Sequence, residues 1–159
     1  MMLATRFKSH YASPLAGVSD ESWERFVYAM NVQPIDAVSA SGGYGCFAMR
    51  PRRLAELDVM VNLRSVRTTE GRQVQDGDFV LPYSKDRFLG SPSLQYKIFE
   101  KSILAYDAAI EHGDIEVPDG IGHSEALAIL HVGGHGAIKS WPKMFENTAA
   151  LVERIKGAF

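Results

Sequence analysis

Residues 36–57 read DAVSASGGYGCFAMRPRRLAEL, and residues 124–141 read SEALAILHVGGHGAIKSW. Each sets glycines between stretches of helical character, so the fold turns on what those glycines do. In the first, Ser39 and Ser41 lead into Gly42, Gly43 and Gly45, with Tyr44 and Phe47 on either side of Gly45. Glycine lets a backbone approach a ligand closely, and aromatic rings offer flat faces. Two readings stay open. The loop is a tight connection whose rings are core, or it holds a sugar by backbone hydrogen bonds on an aromatic platform. A phosphate loop is excluded, because no Lys-Ser/Thr follows the glycines and the dinucleotide spacing is absent. Pro51 then suits the first turn of a helix carrying Leu54, Ala55 and Leu57.

The second stretch holds a run from Ala126 to Val132 with no polar face, which predicts a helix buried on all sides. Gly133-Gly134 breaks it, and a second short helix starts at once. Such a break would gather His131, His135 and free backbone amides at one point, as the wall of a cleft. The plainer alternative is a corner where glycine permits close packing.

Working outward, Ser19 predicts an N-cap, with Asp20 and Glu21 in a first turn favoured by the helix dipole. Trp23, Phe26, Val27 and Met30 share one helical face, and Pro34 requires an end at or before Gln33. Residues 66–75, VRTTEGRQVQ, predict a short hairpin about Glu70-Gly71, with Asp76-Gly77 a second turn signal. Ser91-Pro92 starts a long helix faced by Phe99, Ile103, Tyr106 and Ile110, and Gly113 stops it. Ser124 is the expected cap of the next helix, and a last helix spans roughly residues 144–156. The expected organisation is an irregular arm over residues 1–18 and one mainly helical domain over 19–159, with a small β-hairpin excursion.

At 159 residues the chain can bury a core without disulfides or metals. Its one cysteine, Cys46, excludes a disulfide framework and a thiol-only zinc site. A net charge of −2 gives no general attraction to nucleic acid or anionic lipid. Arg6, Lys8, Ser9 and His10 interrupt any apolar run of signal-peptide length, and no stretch approaches the roughly 18 apolar residues of a membrane span. Cytoplasmic synthesis without a signal peptide is the expectation.

In this order the segments resemble the lysozyme-like superfamily of soluble lytic transglycosylases, goose-type lysozymes and phage muralytic domains. The matching residues are Ala37-Val38-Ser39, Gly43, Gly45, Pro51, Leu54 and Leu57, and later His131, Gly133, Gly134, Gly136, Ala137 and Trp141. Phe88-Leu89-Gly90-Ser91-Pro92, with Leu94 and Gln95, is similar to the entry of the long helix in phage-type members. The resemblance runs from about residue 19 to 157. It implies a peptidoglycan-binding glycosidase of muramidase or lytic transglycosylase type. Its substrate contacts would come from Ser39, Ser41, Gly43, Tyr44, Gly45 and Phe47, and from His131, Gly133, Gly134 and His135. No cofactor, metal, nucleic acid or membrane is implied. The partners are glycan strands or other phage and virion proteins, with virion association or release at lysis.

The chain departs from that pattern at its chemical centre. The family's general-acid glutamate ends the first helix, where this sequence has Tyr28-Ala29-Met30, and Ala48 replaces a loop glutamine. Glycosidic cleavage requires a proton for the leaving oxygen, which none of these residues supplies. Glu24, beside Trp23, and Asp36, just past the helix, are the nearby carboxylates; the plain alternatives are a solvated first-turn residue and a turn residue bonded to its own backbone. Either Asp36 or Glu24 supports cleavage as an unorthodox acid or the domain has lost catalysis; the alternative is a virion or tail component that uses the fold for assembly. His131 and His135 have the spacing of two metal ligands, but the intervening glycines oppose a regular helix and the third ligand would have to be His123 or a remote carboxylate. Cys46 has nothing nearby in sequence to activate it as a nucleophile. Arg50, Arg52, Arg53, Arg64 and Arg67 form one basic concentration, a solvated face or a contact for acidic groups on a peptide stem or partner.

Overall fold

Ser19 opens the first helix, α1 (Asp20–Met30): its carbonyl accepts from the Trp23 amide at 2.9 Å and its hydroxyl from the Ser22 amide at 3.1 Å. The computed structural model describes residues 11–159, and residues 1–10 of the expected arm lie outside the described residues. Residues 11–18 form no helix or strand. After α1 come α2 (Pro51–Glu56), β1 (Met60–Arg67), β2 (Gln73–Phe79), α3 (Lys85–Leu89), α4 (Pro92–Glu111), α5 (His123–Ser140) and α6 (Glu146–Ile155). The described residues are α+β, six helices and one two-stranded antiparallel sheet, where the sequence predicts a mainly helical domain. It gathers into two compact units, one of residues 31–101 and one of residues 11–30 with 102–159.

The 31–101 unit is built on α2, the hairpin and the start of α4. Pro51 occupies the first turn of α2, where a missing amide hydrogen costs nothing. Glu70-Gly71 makes the hairpin turn: Gly71 has φ 84°, and Thr68 receives the Arg72 amide on its hydroxyl. The strands run further than the sequence suggests. The register passes from Val61↔Asp78 to Arg64↔Asp76, so β1 carries one extra residue, and Asn62 takes a left-handed φ of 55° there. Asp76-Gly77 is therefore not a turn but lies within β2. Gly77 is needed because a Cβ would come within 2.8 Å of Met60 Cγ and the Val61 carbonyl oxygen. A further helix absent from the sequence reading, α3, is capped by Ser84, whose hydroxyl accepts from the Arg87 amide. Ser91 caps α4 as expected, receiving the Leu94 amide at 3.1 Å.

In the other unit α1 and α5 both pack on α6. Trp23, Phe26, Val27 and Met30 are buried along α1, with Trp23 and Phe26 stacked at 5.6 Å and Phe26 against Phe159 at 5.3 Å. Residues Ala126 to Leu130 of α5 are buried all round, as an apolar run without a polar face requires. Ser124 is not the cap of α5; that place is held by Gly122, whose amide donates to the Glu125 side chain. Ser124 is fully buried, and its hydroxyl reaches the Ile155 and Phe159 carbonyls instead. Tertiary demand overrode the local capping signal. The break lies at Gly134, whose φ 68° and ψ −161° belong to backbone that only glycine adopts readily.

Candidate functional site

The glycine loop is a closed knot of backbone. Ser39 donates its amide to the Gly43 carbonyl and takes the Gly43 amide on its hydroxyl, which also meets the Ser41 hydroxyl at 3.2 Å. Tyr44 and Met49 exchange both their amide–carbonyl bonds, and the Gly45 amide donates to the Ala37 carbonyl. Two glutamines fasten the knot from outside. Gln33 donates its carboxamide to the Gly43 and Gly45 carbonyls at 3.0 and 2.7 Å. Gln95, 1% exposed, accepts the Cys46 amide at 2.9 Å and donates to the Ile35 and Phe88 carbonyls, both at 2.8 Å. Ala48, where the resemblance expects a glutamine, instead holds a left-handed φ of 49°.

This closure corrects the platform reading of the loop. Phe47, 1% exposed, is stacked on Phe99 with ring centroids 4.1 Å apart, so no face of it is left for a sugar. Gly43 and Gly45 serve the loop's own packing: a Cβ would meet Ala48 at 2.8 Å from Gly43 and the Gln95 carboxamide at 2.5 Å from Gly45. Their amides and carbonyls are used inside the knot, not offered outward. Cys46 is buried and its thiol is pushed up to about 12, first by burial, so it is no nucleophile.

Tyr44 leads out of the knot to a second feature, within the same unit. Its ring is buried edge-on to Phe79, and its hydroxyl donates to Asp76 Oδ1 at 2.7 Å. Burial, and then the Asp76 hydrogen bond, raise the Tyr44 hydroxyl far above the ordinary phenol range. Asp76 Oδ1 also takes the Gly77 amide at 2.8 Å. Beside this pair an open groove of about 470 Å³ is lined by Arg64, Asp76, Asp78, Tyr83 and Lys85 along with Tyr44. Asp78 is clasped by Arg64 at 3.0 Å and Asn62 at 3.2 Å, hydrogen bonds that hold its carboxyl below the usual carboxylate range. Lys85 makes no ion pair among the described residues, and its Nζ stands 6.0 Å over the Tyr44 ring.

The expected site residues fall into two groups, each in its own unit. Asp36, Ser39, Ser41, Gly43, Tyr44, Gly45 and Phe47 belong to residues 31–101. Asp36 is exposed, and Ser39 and Ser41 are half-buried. Glu24, His131, Gly133, Gly134 and His135 belong to the other unit. Glu24 is half-buried in α1, where its charge adds to burial in raising the Tyr28 hydroxyl above the ordinary phenol range. His131 is half-buried on the last turn before the break and His135 is exposed after it. The break at Gly134 interrupts the four-residue spacing on which a two-histidine metal face depends. Among the described residues no three His, Cys, Asp or Glu side chains are gathered for a metal. The basic concentration is divided: Arg53 pairs with Glu56, Arg64 with Asp78, and Arg67 donates to the Gly71 carbonyl.

Sequence reasoning missed Asp78 and Lys85, took Gln33 only as a helix limit, Gln95 only as part of the long helix's entry and Asp76 only as a turn residue. One signal was available: Gln75-Asp76-Gly77-Asp78 places two carboxylates two apart, on one face of a strand. Compared with protein families, curated proteins and solved structures, the chain matches none.

Proposed function

We propose that the chain is a lysozyme-like cell-wall-binding domain, similar to muramidases and lytic transglycosylases, that engages peptidoglycan and has lost glycosidic cleavage. The observation that carries the reading is the open, charge-lined groove beside the glycine loop, within residues 31–101. The fixed carboxylates and cations along it suit a polar, extended ligand. The order of helix, glycine loop, hairpin, long helix and broken buried helix supports the lysozyme-like part of the proposal.

Loss of cleavage follows from the chemistry of the proton. A glycosidic oxygen leaves only when an acid held in a desolvated place delivers a proton to it. The end of α1 offers Tyr28, Ala29 and Met30 there. Asp36 is exposed to solvent, and Glu24 lies one and a half turns before the helix end.

Incubation of the whole protein with purified sacculi tests this. Retention on sacculi without release of soluble muropeptides is the expected result. Release with anhydro or reducing ends overturns the loss of catalysis, and Glu24→Gln and Asp36→Asn then identify the acid. A second reading, an assembly module of a phage virion or tail, draws on exposed apolar side chains: Leu81 is 86% exposed and, in the other unit, Phe145 is 83% exposed. No retention on sacculi favours that role.

A further inference from the structure

The groove carries charges of both signs, and each is fixed or unspent for a different reason. The Asp76 carboxylate is tied through Oδ1 by the Tyr44 hydroxyl and the Gly77 amide, so it stays in place as an acceptor. Asp78 and Arg64 satisfy one another across the strands. Lys85, at the start of α3, brings an ammonium with no ion pair among the described residues. A neutral sugar ring would leave the Lys85 ammonium and the Asp76 carboxylate without a charged partner, and Tyr44 in the lining is only 4% exposed. A carboxylate near Lys85 and an ammonium near Asp76 would each gain a charge-assisted hydrogen bond. The charged lining is balanced, Arg64 and Lys85 against Asp76 and Asp78, so a ligand carrying both signs is favoured over one of a single sign.

Building on the cell-wall reading, we propose that this groove takes the uncrosslinked peptide stem of peptidoglycan and not its sugar chain. Lys85 would receive the stem's terminal carboxylate and Asp76 the free side-chain amine of its diamino residue. Crosslinking consumes that amine in an amide bond, so the groove would distinguish free stems from crosslinked ones.

The test is a nuclear magnetic resonance titration of the full chain with three defined ligands. They are a synthetic stem tetrapeptide with free amine and carboxylate, the same peptide with its side-chain amine acetylated, and a peptide-free glycan oligosaccharide. The free stem should shift Lys85, Asp76 and Tyr83 signals, and acetylation should weaken it about tenfold, the loss of one charge-assisted bond. Lys85→Gln and Asp76→Asn should each weaken the free stem to a similar degree, and raising salt from about 50 to about 500 mM should do the same to the wild type. Lys85 is exposed, and an asparagine oxygen can still accept the Tyr44 hydroxyl, so both variants keep the fold. If the acetylated stem binds as well as the free one, or only the glycan shifts these signals, the stem assignment is wrong while the cell-wall reading stands. If the free stem shifts nothing although sacculi retain the protein, the groove is the wrong place. If sacculi do not retain it, the cell-wall reading itself fails and the stem assignment with it.

Discussion

The loop at residues 39–47 and the corner at residues 131–136 look alike in sequence, yet their glycines answer to different constraints. In the loop the surroundings forbid a side chain: Gly43 faces Ala48 and Gly45 faces Gln95 at separations no Cβ tolerates. At the corner the surroundings are open beside two of the three glycines. Nothing lies within 4 Å of a Cβ added at Gly134 or Gly136, and Gly134 is required only by its φ of 68°. Gly133 is the exception, with Ala137 Cβ 2.5 Å from the added atom, as close as the Gln95 carboxamide at Gly45. Glycine clusters therefore mark close approach of protein to itself as readily as close approach to a ligand. Only the packing around each one tells which.

Substitution can break that contrast, and the largest effect belongs to a residue outside both segments. Gln95→Ala strands the buried Cys46 amide and takes one donor from the half-buried Ile35 carbonyl and from the Phe88 carbonyl, which keeps the Ser91 amide at 3.4 Å. The stranded amide costs about 1–3 kcal/mol, and with the two weakened carbonyls and the void left by the side chain a loss of about 3–5 kcal/mol in denaturant unfolding is expected. Cys46 supplies a second readout. With its thiol buried and pushed up to about 12, it should resist alkylation near neutral pH in the native protein and label rapidly in the variant. Fast labelling of the wild type would show that the knot is open in solution.

Gly45→Ala comes next. Its φ of 75° disfavours an L side chain, and the new Cβ collides with the same Gln95 carboxamide. Together these predict a loss of about 2–4 kcal/mol. Because both changes act on one contact, the double variant should lose clearly less than the two single losses added together. Strict additivity would mean that Gly45 serves something other than the seating of Gln95.

The elements announced by local chemistry were legible in the sequence: the Ser19 and Ser91 caps, Pro51 in its first turn, Glu70-Gly71 between strands, and the break after the apolar run of α5. What escaped is non-local. Gln95 meets Ile35 across 60 residues of chain, and Tyr44 meets Asp76 across 32, separations over which no periodicity speaks. Asp76-Gly77 misled for a related reason. A dipeptide that favours turns sits inside β2 because Met60 and Val61 leave room for nothing larger than glycine. Ser124 shows the same override, since its hydroxyl serves the chain end across α6 and not its own helix. Of the candidate site, the loop could be found from sequence but not its closure. The groove needed the hairpin register, which a one-residue bulge at Asn62 sets.

At the corner the expected effects are smaller and change sign. Gly134→Ala meets no obstacle but must hold backbone that only glycine adopts easily, predicting a loss of about 1–2 kcal/mol. Gly136 lies in regular helix with open space at its Cβ position, and Ser140 donates its hydroxyl to the Gly136 carbonyl without involving that position. There alanine relieves the conformational entropy of glycine with nothing to displace, so Gly136→Ala should stabilise the protein by about 0.5–1 kcal/mol. A melting temperature that rises by a few degrees meets that expectation. A fall would mean that the space beside Gly136 is filled in the working protein, and would return the corner, and not the loop, to consideration as a contact surface.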